Sequence, residues 1–170
     1  MSIDPETLKA LVERELESLS DARVLAHIRT MLVEPEVVLR AWDYGKPGDK
    51  YPCWTVLKHA ASKTGIAYCE FGFGPQCPWR LVWLEENGEQ GSIGMDTGWF
   101  TSLVDAYFDS FAAAELPIWR VFKETSSWLD EPLTEEGPWE ATWERIEQLR
   151  KEDPSSRYNV HHRVAYKPRS

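Results

Sequence analysis

The chain is poor in the residues that build the commonest small sites. Only three cysteines and four histidines stand among its 170 residues. No Cys-x-x-Cys pair occurs, so a zinc ribbon or a thioredoxin-type motif has no anchor. An odd number of thiols argues against a closed disulfide framework, and the cysteines read as reduced, in a cytoplasmic protein. No apolar run approaches the roughly 18 residues that a membrane-spanning helix needs. The opening Met1-Ser2-Ile3-Asp4-Pro5-Glu6 is acidic and unlike a secretory signal. The loop Asp43 to Lys50 holds Gly45 and Gly48 but lacks the G-x-x-x-x-G-K-[ST] spacing that cradles phosphate.

Positive charge is also scarce. Nineteen Lys and Arg face 28 Asp and Glu, a formal net charge of -9. That excess repels phosphate backbones and anionic lipid, so neither nucleic acid nor membrane is the expected partner. A basic protein is.

Tryptophan is present in excess, with nine in the chain. The stretch Pro52 to Phe100 holds Trp54, Trp79, Trp83 and Trp99 together with all the cysteines. Its alternating β-branched and aromatic residues predict strands over Cys53–Ala60, Ile66–Phe73 and Trp79–Glu85. In the first of these, Trp54, Val56 and Lys58 share one face and Thr55, Leu57 and His59 the other. Gly72 and Gly74 suggest a bulge around Phe73, and Pro75 and Pro78 force a corner. Asn87-Gly88 signals a tight hairpin leading to a short strand near Gln90–Ile93. Val37–Tyr44 and Ile118–Phe122 complete a sheet of five or six antiparallel strands.

Helices surround it. Asp4 caps a helix with Pro5 at its first position, and Leu8, Leu11, Val12, Leu16 and Leu19 recur at helical spacing. Ser20 or Asp21 caps a second, carrying Val24, Leu25, Ile28, Met31 and Leu32, so that residues 4–32 make a helical hairpin. Glu34-Pro35 should stop it. His27 reads as a packed or solvent-edge residue. Thr101 or Ser102 caps a helix running to Ala114, whose wide stripe of Leu103, Val104, Ala106, Tyr107, Phe108 and Phe111 should lie on the sheet. Residues 123–137 read as an acidic connector pinned by Trp128 and Leu129. Pro138 opens the last helix, with Trp139, Trp143, Ile146 and Leu149 on one side and Glu140 and Glu144 as a repulsive pair on another. The tail from Tyr158 to Tyr166 alternates as a strand, and Arg157 to Ser170 holds four Lys and Arg and no acid. It is expected to dock as an edge strand. The fold class is α+β, in one domain over residues 1–170.

No catalytic signature surrounds any thiol, and paired carboxylates among 28 acids need geometry to be diagnosed, so the reading leans away from an enzyme and no cofactor is read. Cys53, His59, Cys69 and Cys77 could together ligate zinc, but buried thiols packing as small hydrophobes are the favoured reading. Glu70 sits mid-strand, and an exposed sheet face, or pairing with Arg80 or Lys58 on neighbouring strands, would accommodate it. Asp96 lies in the turn-rich Gly94–Gly98. Large amphipathic rings dominate protein interfaces and also line ligand pockets. The leading expectation is therefore a non-enzymatic protein-binding module, in concrete form a cytoplasmic immunity-type inhibitor of a basic toxin or enzyme. The alternatives are a small-molecule binder or enzyme with a pocket lined by Trp54, Tyr68, Glu70, Trp83, Asp96 and Trp99, and a zinc-stabilised interaction domain.

Overall fold

A computed structural model of the chain describes residues 2–42, 44–70, 76–84, 98–125 and 131–164. The expected strand near Gln90–Ile93, the Asn87-Gly88 turn, the bulge at Phe73, the anchors Trp128 and Leu129, and Asp96 lie outside these residues. The fold is α+β, with one five-stranded antiparallel sheet and one two-stranded sheet among the described residues. It gathers into two compact units, built on Met1–Ala112 and on Ala113–Ala165. The division falls well ahead of the acidic stretch 123–137.

The first unit opens as its caps dictate. The Asp4 carboxylate accepts the Thr7 N–H at 2.9 Å and starts α1 (Pro5–Leu16); that of Asp21 accepts the N–H groups of Arg23 and Val24 and starts α2 (Ala22–Met31). Leu8, Val12, Leu16, Val24 and Ile28 are buried, the inner stripes of the predicted hairpin. Its end differs from expectation. The chain passes directly into β1 (Leu32–Arg40), and Pro35 lies inside that strand. The proline is tolerated because β1 is the edge of the sheet and its register with β2 (Tyr51–His59) shifts between Leu32 and Glu36.

The sheet continues through β3 (Thr64–Tyr68), β4 (Trp79–Trp83) and the two-residue β5 (Trp99–Phe100), in sequence order. A register shift between Thr55 and Leu57 breaks the period of two in β2. Trp54 pairs with Tyr68, which pairs with Trp79; beyond the shift, Leu57 pairs with Ile66, which pairs with Leu81, and His59 pairs with Thr64, which pairs with Trp83. Trp54, Leu57 and His59 thus share a face, and strict alternation assigns them wrongly. Thr55 falls on the other face, with Ala67 and Arg80. The helix expected to run unbroken to Ala114 is two pieces, α3 (Leu103–Phe108) and α4 (Phe111–Ala114). Ser102 caps α3, accepting the Asp105 N–H at 3.0 Å.

The second unit is built on β6 (Trp119–Lys123), α5 (Trp139–Glu152) and β7 (Tyr158–His162). Among the described residues the tail strand is not part of the larger sheet; β7 pairs antiparallel with β6, Val121 opposite Val160. Nor is 131–137 a loose connector. Leu133 donates its N–H to Val121 O, Thr134 Oγ1 accepts the Val121 N–H, and Gly137 and Trp119 exchange both backbone bonds.

Candidate functional site

Register builds the site in the first unit. Val37 of β1, Trp54 of β2, Tyr68 of β3 and Trp79 of β4 lie side by side in one row across the sheet. Neighbouring strands are about 4.8 Å apart, so adjacent side chains of such a row touch. Leu39 and Pro52 form the next row on the same face. Glu70 continues this face by alternation from Tyr68, two residues on.

Exposure changes along the row. Trp79 is fully buried, its indole N–H donating to Glu15 of α1 at 2.9 Å, and its ring meets Tyr68 edge-on with centroids 5.2 Å apart. Tyr68, Trp54 and Glu70 are partly exposed. At the open edge, Val37 is 49 % and Leu39 59 % exposed. Large apolar side chains that water touches this freely, ranked beside half-buried rings, mark a surface suited to association.

The charge there is negative. Burial raises the Tyr68 phenol above its usual range, and the Glu70 and Glu15 carboxylates raise it further. Glu15 is itself raised, chiefly by burial, although it accepts hydrogen bonds from Leu103 N–H and the Trp79 indole. Glu70 does not pair with Arg80 or Lys58 as expected. Its Oε1 accepts the Ile3 N–H at 3.0 Å, Lys58 reaches Glu36 at 2.6 Å, and Arg80 lies on the opposite face.

The six residues expected to line one pocket are not brought together. Trp54, Tyr68 and Glu70 form the group just described. Trp83 shares their face but sits opposite Thr64, at the far end of the strand pair, 60 % exposed beside Phe111. Trp99 pairs with Arg80 and so faces the other way, its ring 5.4 Å from the Arg80 guanidinium carbon. Asp96 lies outside the described residues.

That other face carries a buried cluster of Cys53, Ala67, Cys69 and Val82, with Trp42, Tyr51, Leu84 and Trp99 packed against it. Arg40 and Arg80 are buried there too. The Cys69 thiol is pushed well above its usual range, first by hydrogen bonding with Cys53 and then by burial, against a smaller pull from the two guanidiniums. Such a thiol is a poor nucleophile. His59, carried to the opposite face by the β2 register shift, holds Ser62 Oγ through Nδ1 at 2.7 Å. Cys77 is partly exposed. The zinc set of Cys53, His59, Cys69 and Cys77 is thus divided between two faces, and no group of three or more candidate ligands occurs among the described residues.

Sequence reasoning passed over Val37, Leu39 and Glu15. The first two lie in the predicted strand Val37–Tyr44 with no role assigned, and Glu15 lies in the predicted first helix outside its apolar stripe. The signal that could have found Val37 and Leu39 is the pairing of an edge strand with Trp54 and Pro52. His27, read as a packed edge residue, holds the hydroxyl of the buried Tyr107 through Nδ1 at 2.7 Å. No helix among the described residues is long and apolar enough to cross a membrane. Comparison of the chain with protein-family models, with curated proteins and with solved structures found no match.

Proposed function

We propose that the chain is a non-enzymatic protein-binding module that captures a basic polypeptide, in the manner of a cytoplasmic immunity-type inhibitor neutralising a basic toxin or enzyme. The observation that carries this reading is the sheet face where the exposed Val37 and Leu39 adjoin the partly exposed Trp54 and Tyr68, with Glu70 at its side. Rigid rings and aliphatic side chains on a sheet lose little entropy when covered, which favours affinity. The negative potential at Tyr68 and the net charge of -9 favour a partner of opposite sign and speed its capture.

The test is affinity purification from the native host with the full chain and with a Leu39→Asp variant, at low and high salt. The expected result is a basic protein recovered in stoichiometric amount, retained less at high salt and lost with the variant. Recovery of no stoichiometric partner at either salt, or equal recovery by the variant, removes the reading.

A further inference from the structure

The second unit carries its own exposed rings. Trp139 and Trp143 lie one turn apart on α5, 38 % and 40 % exposed, with ring planes 7° apart and centroids 6.1 Å apart. Indoles on a helix surface are ordinarily free to change rotamer. Trp139 is held, because its ring meets that of the buried Trp119 at 90° and 4.9 Å. Trp119 is fixed in turn by donating its indole N–H to Ala113 O at 2.9 Å. Thr142 Oγ1 donates to Pro138 O at 2.9 Å and locks the first turn of the helix. The result is a rigid aromatic wall.

That wall borders an open groove of about 440 Å³, lined by Ala114 and Glu115 on one side and by Pro138, Trp139, Glu140, Ala141 and Glu144 on the other. Three of its lining residues are carboxylates and none is basic. Glu140 suits the positive end of the helix dipole. Glu144 stands one turn further on, like-charged and at the repulsive i,i+4 spacing. Neither is in an ion pair among the described residues, whereas Glu147 and Glu152 on the same helix pair with Arg150 and Arg145. The groove therefore has an indole face and, on one wall, carboxylates with no ion-pair partner among the described residues. The adjoining surface already shows what such a face accepts, since the Arg150 guanidinium carbon lies 5.4 Å from the Trp143 ring. A planar cation against an indole gains from the ring quadrupole and from each nearby carboxylate.

We infer that this groove receives an arginine side chain of a basic polypeptide, with Trp139 as the platform and Glu140 and Glu144 as counter-ions. It shares with the reading above only the sign of the partner's charge. It is carried by a different unit and different residues.

The experiment titrates the full chain with a blocked eight-residue peptide of alternating arginine and glycine, followed by tryptophan fluorescence and calorimetry. A second peptide carries citrulline for arginine, which keeps the shape and removes the charge. The expected result is saturable binding of the arginine peptide, weakened about tenfold or more by citrulline, by Glu140→Gln with Glu144→Gln, and by Trp139→Ala. The double glutamine variant gives up the dipole interaction of Glu140 and relieves the repulsion with Glu144, so it should fold about as well as the parent. Binding that is absent, or equal for citrulline, or equal in the double variant, overturns the inference. Leu39→Asp, in the first unit, should leave peptide binding unchanged. Failure here and failure of the sheet-face reading are thus read separately.

Discussion

Glu15 of α1 accepts the indole N–H of Trp79, 64 residues away on β4, at 2.9 Å. Its other oxygen accepts the N–H of Leu103, the first residue of α3. One carboxylate thus ties two helices to the sheet at the buried end of the row, and the bond to Trp79 fixes the ring against which Tyr68 stands.

Removing that carboxylate strands two donors. Glu15→Ala should destabilise the first unit by about 2–4 kcal/mol, since each buried unsatisfied donor costs roughly 1–3 kcal/mol. Urea unfolding followed by tryptophan fluorescence measures this, and a loss below about 0.5 kcal/mol would show that the two bonds contribute little. A pH dependence accompanies it. The folded-state pKa of Glu15 is raised, so its contribution is most favourable below the ordinary carboxylate value of 4.5 and declines as pH rises through the raised one. Glu15→Gln should abolish that decline while also destabilising at neutral pH, because an amide offers one acceptor oxygen to two donors.

Gly98 has a φ of +98°, and a Cβ there would lie 2.8 Å from Arg80 Nη1. Gly98→Ala should cost about 1–3 kcal/mol from backbone strain and displace the guanidinium from the Trp99 ring. Urea midpoint and a shifted indole emission report the two effects. An unchanged midpoint would mean that the turn relaxes freely.

The second unit should lose stability in acid. Val164 donates its N–H to His162 Nδ1 at 3.2 Å, so the neutral ring carries its proton on Nε2. Burial, then the stacked His161, lowers His162 from 6.5 to about 4. A base held neutral contributes fully above 6.5, and that contribution is lost as pH falls from 6.5 towards about 4. Proton NMR of the full chain should find His162 titrating near about 4, well below the ordinary 6.5. His162→Gln should flatten the dependence of unfolding on pH across that window, and an unaltered slope would assign it to other groups.

Thiol reagents should distinguish the cysteines. Cys53 and Cys69 are buried, while Cys77 is partly exposed. With excess reagent on the native chain, Cys77 should react first and the other two about a hundredfold more slowly, at a rate set by local opening. All should react alike in denaturant. Fast modification of Cys53 or Cys69 in the native protein would contradict their packing.

Much of the fold was legible from local chemistry. Asp4 before Pro5, Asp21 before the apolar stripe of α2, and Ser102 before Leu103 are caps whose side chains make the expected bonds. The alternation in Trp79–Trp83 gives its faces correctly, because that strand pairs with β3 without a register shift. Pro35 misleads, since its rule concerns helix and central strand, and being at an edge is a property of the whole sheet. The β2 shift misleads because Val56 and Leu57 are both buried, so no polar residue marks where the period breaks. In the candidate site, Trp54, Tyr68 and Glu70 were legible as neighbours on paired strands. Val37, Leu39 and Glu15 were not, since each owes its place to pairings 13 to 64 residues away. Trp99 and Trp83 were drawn in by chemical likeness, and strand parity and strand length separate them from the rest.

Pro35 in β1 carries a final consequence. A bare outer strand with oily side chains invites a second molecule to zip onto it, and repeated zipping is how fibrils elongate. Proline has no N–H to offer an incoming strand, and the neighbouring shift in register bends the template. Runaway edge-to-edge polymerisation is blocked at that point, while Val37 and Leu39 stay open to a visitor approaching from the flat of the sheet.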